Sequence, residues 1–196
     1  MLHHEVVDKL HARAGRLRRV DVVIVIRSER LQLRELEPQD DEFILRLLNE
    51  DSFVRFIGDK GVRTLSDARE YILKGPVDSY RRFGFGLYLT SLLDSGLPIG
   101  ICGLVKRDTL PDVDVGFAFL TQYWSRGYAA ESAAAVLAFG TEQLQLRRIV
   151  AITAPDNHAS IAVLEKIGLK FERMVKLSEH SPELKMFGPA RQADRA

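Results

Sequence analysis

Six consecutive residues, Trp124-Ser125-Arg126-Gly127-Tyr128-Ala129, form the pattern in this chain with the clearest chemical meaning. They follow a strand-like run and precede a run with helical periodicity, which places Gly127 in a strand-to-helix turn. Such a turn ends in backbone N–H groups without a helical partner, at the positive end of the helix dipole. This arrangement binds phosphate without a basic side chain. The hexapeptide therefore predicts a phosphate-binding loop whose donors are the backbone N–H groups from Ser125 to Ala130.

Taken alone, the hexapeptide is also compatible with a plain structural turn that binds nothing. Arg126 either adds positive charge near a phosphate or is an ordinary solvated arginine. A second strand follows along the chain, and after it come Asn157, Ser160 and a short helical run. With Asn157 as the N-cap, Ser160 falls in the first turn of that helix, and both residues either decorate the helix end or contact a cofactor.

Two acidic residues precede the loop. Asp112 and Asp114 have the spacing of side chains on one face of a strand, if the strand extends that far. A pair of acids there would favour a cationic acceptor and the removal of its proton. The alternative is a pair of solvated acids beside the turn at Pro111.

These residues belong to a chain of 196 residues, which is long enough for one domain with a sizeable core. Hydrophobic residues make up 46% and charged residues 28%, as is ordinary for a globular protein. The net charge of +1 gives a nucleic-acid partner no support. The chain contains no apolar run of bilayer length and no signal-peptide pattern, so we expect a cytoplasmic protein without a membrane partner.

The cysteine and histidine residues limit the kinds of functional site that the chain can contain. The single cysteine, Cys102, lies in an apolar strand-like run, where a small buried hydrophobe is expected. The five histidines show no zinc-type spacing with acidic or cysteine partners, and we expect no metal. Near the N-terminus, a basic cluster is formed by Arg13, Arg16, Arg18 and Arg19. It indicates a solvated helix or a poorly ordered extension, and the alternative is an arm that binds nucleic acid or a membrane.

The order of the elements predicts a mixed sheet. The strands 86–93 and 99–105 form an antiparallel hairpin. A strand at 113–120, a helix at 130–146 and a strand at 148–153 then imply a crossover, which makes the two strands parallel neighbours. Ligands bind at the carboxyl ends of strands that are joined in this way. The predicted fold class is therefore α/β (α+β), with helices flanking the sheet.

One domain is expected over residues 29–190, preceded by an N-terminal extension at residues 1–28. A helix begins at Thr64, where Asp67 has the reciprocal position of a capping box. The dipeptide Gly75-Pro76 is a candidate interruption of that helix.

Four segments stand in register along the chain: Asp114-Val115-Gly116-Phe117; Tyr123-Trp124; Gly127-Tyr128-Ala129 with Glu131; and Asn157 and Ser160 followed by Leu164-Glu165-Lys166-Ile167-Gly168. Together they resemble the GNAT superfamily of N-acetyltransferases, and in particular its ribosomal-protein N-terminal acetyltransferase branch (RimJ/RimL type). The cofactor motif of the family is Gln/Arg, two residues, Gly, one residue, Gly/Ala. Gly127 and Ala129 match the last two anchors, and Trp124 stands at the first. The resemblance covers residues 30–188.

The resemblance implies a single GNAT-like domain whose mixed, mostly antiparallel, twisted sheet contains a splayed central parallel strand pair. It also implies acetyl-CoA as co-substrate, with its phosphates on the backbone of the hexapeptide. Pantetheine would run along the strand edge at Phe117, Phe119 and Leu120. A main-chain N–H near Phe119 would polarise the thioester carbonyl as negative charge develops on its oxygen.

The same resemblance implies the proton-handling residues. Ser160 would lie near the thiol and act as the general acid, while Asn157 would hold the pantetheine. Asp114 would act as the base through a water molecule, because an amine must be neutral to attack the thioester.

Three functions remain open from the sequence. The first is an N-acetyltransferase whose acceptor is either a protein N-terminal amine or a small amine. The second is a non-catalytic acyl-CoA-binding or regulatory module, which would need neither Asp114 nor Ser160. The third is nucleic-acid binding through the N-terminal arginines. The sequence leaves the oligomeric state open, with a homodimer among the states it allows.

Overall fold

The computed structural model describes residues 23–190, so the predicted helix and the arginine cluster of residues 1–20 lie outside the described residues. Within the described range, eight strands form one sheet in the order β1-β2-β3-β4-β5-β6-β8-β7. The strands are β1 (Ile24–Arg27), β2 (Leu31–Glu35), β3 (Leu87–Leu92), β4 (Pro98–Val105), β5 (Val113–Phe119), β6 (Ile149–Thr153), β7 (Leu169–Val175) and β8 (Leu184–Pro189).

The helices lie between β2 and β3 and on either side of β6. They are α1 (Asp41–Leu48), α2 (Asp51–Phe56), α3 (Leu65–Ile72), α4 (Asp78–Phe83), α5 (Tyr128–Glu142) and α6 (His158–Lys166). Short 3-10 turns at Pro38–Asp40 and Thr121–Tyr123 lead into α1 and toward α5. Within residues 23–190, no helix combines the length and the apolar character needed to span a membrane.

Neighbouring strands are antiparallel except at one place. β5 and β6 run parallel, and α5 forms the connection between them. All remaining neighbours in the sheet are antiparallel: β1–β2, β2–β3, β3–β4, β4–β5, β6–β8 and β7–β8. The predicted fold class, a mixed and mostly antiparallel sheet flanked by helices around a central parallel pair, is confirmed.

The sheet separates two hydrophobic cores. Val113, Val115 and Phe119 of β5 pack in one cluster with Ala133 and Val136 of α5. The other face of the sheet carries a second cluster, in which strand residues pack against α1 and α3: Ile44, Leu47, Ala68, Ile72, Leu89 and Ile101. Because side chains alternate across a strand, Asp114 belongs to the face that is covered by α1 and α3.

The predicted interruption at Gly75-Pro76 takes the form of a π-helical turn. The capping box that starts α3 is present, with Thr64 Oγ1 accepting from the Asp67 N–H and Asp67 Oδ2 accepting from the Thr64 N–H. Residues Leu73–Val77 then form the π-turn, and the chain continues into α4. Proline has no N–H for a regular helical bond, and a wider turn accommodates that loss.

The predicted end of α5 at residue 146 is four residues too late. The helix ends at Glu142, and Gln145 has a left-handed backbone with φ of 55°. A left-handed residue cannot continue a right-handed helix. Leu144 and Leu146 nevertheless pack against the core, which explains why the apolar periodicity extends past the helix.

Candidate active site

The parallel strand pair separates over most of its length. Between β5 and β6 the register contains two pairs, Val113 with Ile149 and Asp114 with Val150. β5 continues for five more residues, while the end of β6 pairs with β8 on its other side. Residues 116–118 are half-buried although β5 is a central strand. The sheet is therefore open between the carboxyl halves of β5 and β6, as the resemblance implied.

Backbone groups of β5 face this opening. On the side of β4, the Leu120 N–H donates to the Ile99 carbonyl at 3.0 Å. Because hydrogen-bonded and non-hydrogen-bonded pairs alternate in an antiparallel ladder, the N–H and C=O groups of Phe117 and Phe119 point away from β4. They point to the side on which β6 has diverged. An extended amide-bearing chain can pair with such an edge in the manner of an added strand.

Trp124 joins the end of β5 to the loop that follows it. Its indole Nε1–H donates to the carbonyl of Phe119 at 2.8 Å. The side chain at the first anchor position of the cofactor motif thus fixes the strand edge instead of reaching toward a phosphate. The indole remains partly exposed, with 39% of the residue's surface accessible.

The hexapeptide forms the predicted strand-to-helix turn. Gly127 is the N-cap of α5 and has φ of +83°, in the left-handed region that favours glycine. Ser125 is also left-handed, with φ of 59°. The first bond of the helical ladder runs from the Glu131 N–H to the Gly127 carbonyl at 3.0 Å. The N–H groups of the three preceding residues, Tyr128, Ala129 and Ala130, therefore precede that ladder and are available at the helix end.

A group of contacts behind the loop was missed by the sequence analysis. Glu131 Oε1 accepts from the Ser28 hydroxyl and from the Arg30 N–H, both at 2.7 Å. Glu131 Oε2 accepts from the Arg30 guanidinium at 2.7 Å. Burial raises the pKa of Glu131, but these hydrogen bonds outweigh it and lower the pKa overall. The turn between β1 and β2 is thereby joined to the first turn of α5.

Asn157 and Ser160 lie together at the start of α6. The Asn157 side-chain oxygen accepts from the Ser160 N–H at 3.0 Å, so Asn157 is the N-cap of the helix. Ser160 is in the first turn and is half-buried. The cap uses the backbone of Ser160, which leaves its hydroxyl outside that contact. Since β6 leads directly to this helix, both residues lie on the β6 side of the opening.

The cap gives a stability prediction. Replacing Asn157 with Ala should lower the free energy of unfolding by about 1 kcal/mol, because the Ser160 N–H loses its acceptor. Urea denaturation followed by circular dichroism measures this change. Asn157→Ser supplies another capping oxygen and should retain most of the stability. Equal unfolding midpoints for Asn157→Ala and the wild type would contradict the capping role.

Asp114 lies at the apex of the opening, where the parallel ladder ends. Its side chain is 1% exposed and accepts from Arg107 Nε at 2.8 Å and from Arg107 Nη2 at 3.3 Å. Burial raises the pKa of Asp114 above the ordinary value of 3.8, and the charge and hydrogen bonds of Arg107 oppose the shift only in part. The predicted base is thus a buried carboxylate with an arginine partner.

The two acids before the loop do not act as a pair. β5 begins at Val113, so Asp112 is outside the strand, and it accepts from Arg148 Nε at 3.0 Å. Arg148 also donates to both carboxylate oxygens of Glu172 on β7, at 2.6 and 2.7 Å. This ionic triad of Asp112, Arg148 and Glu172 joins the starts of β5 and β6 to β7, at the closed end of the strand pair.

Helix α2 and its N-cap residue contact both sides of the opening. Near the end of β5, the Glu50 carboxylate accepts from the N–H of Thr121 at 3.2 Å and from its hydroxyl at 2.9 Å. Beyond the end of β6, Arg55 forms an exposed ion pair with Asp156 at 3.2 Å. Two adjoining hollows of about 260 and 290 Å³ lie farther along the same face and share Tyr71 as a wall.

The separation of the parallel strands β5 and β6 beside the N-terminus of α5 is the feature that defines this class of fold. The chain matches the acetyltransferase (GNAT) domain family over residues 30–170 and belongs to that family. It is 30% identical over 151 residues to the uncharacterized N-acetyltransferase YnaD of Bacillus subtilis (strain 168). The matched region covers 77% of this chain and 85% of YnaD.

Solved structures agree with this membership. An acetyltransferase from Agrobacterium tumefaciens str. C58 is 26% identical, with a TM-score of 0.72 over 85% of this chain and 94% of that one. RimL, a ribosomal L7/L12 alpha-N-protein acetyltransferase solved with coenzyme A, has a TM-score of 0.73 at 17% identity, over 85% of this chain and 97% of RimL. The resemblance to the GNAT superfamily is confirmed, and ribosomal-protein acetyltransferases are among the structures that share the fold.

Proposed function

We propose that this protein is an acetyl-CoA-dependent N-acetyltransferase that transfers the acetyl group directly from the thioester to a primary amine. The observation that carries the proposal is the opening between β5 and β6, which has an outward-facing backbone edge and ends beside the N-terminus of α5. A cofactor with a diphosphate at one end and an amide-bearing arm at the other fits both features together.

The donor would lie along the β5 side of the opening. Its diphosphate would be bound by backbone N–H groups from Ser125 to Ala130, at the positive end of α5. The amides of the pantetheine arm would pair with Phe117 and Phe119 as far as Leu120. This path directs the thioester toward the apex of the opening, where the N–H of a β5 residue can stabilise negative charge on the carbonyl oxygen.

The leaving thiol would lie beside the start of α6. Asn157 would contact the pantetheine, and the Ser160 hydroxyl would donate a proton to the sulfur as the carbon–sulfur bond breaks and regain a proton from solvent. The amine would approach from the face of α1 and α3, where Asp114 lies. A water molecule next to Asp114 would accept the proton that the nitrogen loses when it bonds to the acetyl carbon, and would pass a proton to the Asp114 carboxylate.

Direct transfer is favoured over an acetyl-enzyme intermediate by the state of the single cysteine. Cys102 is fully buried in β4, and burial raises its pKa to about 12. A thiol that is neither exposed nor ionised is a poor nucleophile. An acetyl-cysteine intermediate is therefore disfavoured, and the acceptor would bind together with acetyl-CoA.

The acceptor is a primary amine, and two classes are compatible with the site. RimL is a ribosomal-protein N-terminal acetyltransferase, which favours a protein N-terminal amine. The hollows beside Tyr71 also have room for a small amine. Specificity would reside in the surfaces of α1 to α4 and in the segment between β7 and β8.

Thiol release from acetyl-CoA tests the proposal. The purified chain is incubated with a peptide that has a free N-terminus, with the same peptide blocked by acetylation, and with a polyamine, an amino sugar and an amino acid. Acceptor-dependent thiol release with at least one free amine, and none with the blocked peptide, is the expected result. Acetyl-CoA binding without turnover of any amine would instead support an acyl-CoA-binding module. The absence of binding by folded protein would refute both.

The proposed base gives a pH prediction. The acid-side limb of kcat/KM should contain two ionisations, one from the acceptor amine and one from Asp114 above its ordinary value of 3.8. The logarithmic slope should therefore approach 2 in wild type below both pKa values, and 1 in Asp114→Asn. Because the proton passes through water, we expect a loss at neutral pH below the ~100-fold typical of direct proton transfer.

Asp108→Asn is the control, because Asp108 is an exposed acid in the loop before β5. Its profile should be the same as that of wild type. A slope of 2 that persists in Asp114→Asn would exclude Asp114 as the base.

A further inference from the structure

We propose that Arg30 is a positioning residue for the donor's diphosphate, because it holds the peptide between Arg126 and Gly127 in the orientation that aims the Gly127 N–H at the phosphate. The inference rests on the proposed function and extends the donor site to a residue 96 positions before the loop. Neither the phosphate-loop motif nor the strand edge includes Arg30.

Arg30 contacts two residues of the loop, Arg126 and Tyr128, and lies beside Gly127 between them. Its Nη1 donates to the carbonyl of Arg126 at 3.1 Å. Its guanidinium lies over the ring of Tyr128, 4.7 Å from the centroid. Its Nη2 would be 3.3 Å from a Cβ atom at position 127. The guanidinium thus covers the back of the loop, and a side chain at position 127 would displace it.

The bond to Arg126 fixes the direction of a peptide group. In a trans peptide, the C=O of one residue and the N–H of the next point in opposite directions. No cis peptide occurs in residues 23–190. When the Arg126 carbonyl points at Arg30, the Gly127 N–H must point away from Arg30, toward the outer side of the loop. A rotated peptide would instead present a carbonyl oxygen to the diphosphate and repel it.

Glu131 holds the guanidinium in place. Its carboxylate accepts from the Arg30 N–H, from the guanidinium and from the Ser28 hydroxyl. The net charge of the Arg30–Glu131 ion pair is close to zero. Its contribution to diphosphate binding is therefore the orientation of backbone donors more than direct electrostatic attraction. The fork of the arginine is essential to this arrangement, because one nitrogen binds Arg126 while others bind Glu131. The compact ammonium of a lysine cannot reproduce that geometry.

The test compares two donors that differ in their phosphates. Acetyl-CoA carries the diphosphate, whereas S-acetylpantetheine lacks it and uses only the strand edge. In Arg30→Lys, kcat/KM for acetyl-CoA should fall about tenfold through KM, which corresponds to roughly 1.4 kcal/mol. The value for S-acetylpantetheine should stay within about twofold of wild type, which a general structural defect would not allow.

Arg34→Lys is the matched control. Arg34, on β2, forms a comparable bidentate pair with Asp40 of the 3-10 turn that follows, away from the loop. That variant should alter both donors equally, if it alters either. An equal loss for both donors in Arg30→Lys, or no loss, would overturn the inference. If wild type fails to bind acetyl-CoA, the proposed function itself fails, and this outcome is separate from the first two.

A second measurement observes the peptide directly. In protein labelled with ¹⁵N-glycine, coenzyme A should shift the Gly127 amide resonance strongly in wild type and weakly in Arg30→Lys at saturating ligand. The positive-φ glycine Gly96, in the turn between β3 and β4, serves as an internal reference. Equal shifts of Gly127 in both proteins would contradict the orienting role.

Discussion

Gly127→Glu should abolish measurable binding of acetyl-CoA, with a dissociation constant at least ~100-fold above that of wild type, or roughly 2.8 kcal/mol. Three effects act in the same direction. The backbone at Gly127 has φ of +83°, where a non-glycine residue is strained. A Cβ atom would lie 3.3 Å from Arg30 Nη2. The new carboxylate would add negative charge where the loop is proposed to receive a diphosphate.

The measurement is calorimetric titration of both proteins with acetyl-CoA and with free coenzyme A. Gly96→Glu is the matched control, since Gly96 also has a positive φ of +70°, in a hairpin turn with open space around it. It carries the same strain and the same added charge away from the loop. Gly96→Glu should bind normally, and binding by folded Gly127→Glu within tenfold of wild type would refute the phosphate loop.

Ser160→Ala should lower kcat by about 100-fold, the lower end of the range for general acid–base catalysis. The lower end is expected because a thiolate is a fair leaving group even without full protonation. The dissociation constant for acetyl-CoA should remain unchanged. Because the cap at Asn157 uses the backbone N–H of residue 160, the substitution leaves the helix end intact.

Pre-steady-state measurement of thiol release reports the rate of the chemical step, and a binding titration reports the dissociation constant for acetyl-CoA. His158→Ala is the control, because His158 is an exposed residue of the same first helical turn. It should retain the wild-type rate. If Ser160→Ala turns over within twofold of wild type, Ser160 is a helix residue without a catalytic role.

Features of this protein that depend on neighbouring residues were predictable from the sequence. The glycine turn before α5, the capping box at Thr64 and the cap at Asn157 each involve residues within four positions of one another. The parallel pair followed from a strand, a helix and a strand in succession, because a crossover of that kind determines strand direction.

Contacts between distant residues were not predictable. Arg30 and Glu131 are 101 positions apart, and no local pattern marks either as the partner of the other. Asp112 and Asp114 read as one pair of acids, but each binds a different arginine, and the start of β5 lies between them. Trp124 stands at the first anchor position of the motif, and its indole N–H binds the carbonyl of Phe119. A single sequence cannot show this contact.

The ionic triad of Asp112, Arg148 and Glu172 gives the opening a mechanical character. It fixes the closed end, and β5 extends past the apex by five residues, or about 16 Å at ~3.3 Å per residue. The two strands therefore diverge from a common fixed end. A rotation of about 4° at this fixed end would move the tip of β5, and with it the start of the phosphate loop, by about 1 Å. Three charged residues that touch neither substrate would thus help to hold the proposed phosphate site at a fixed distance from the apex.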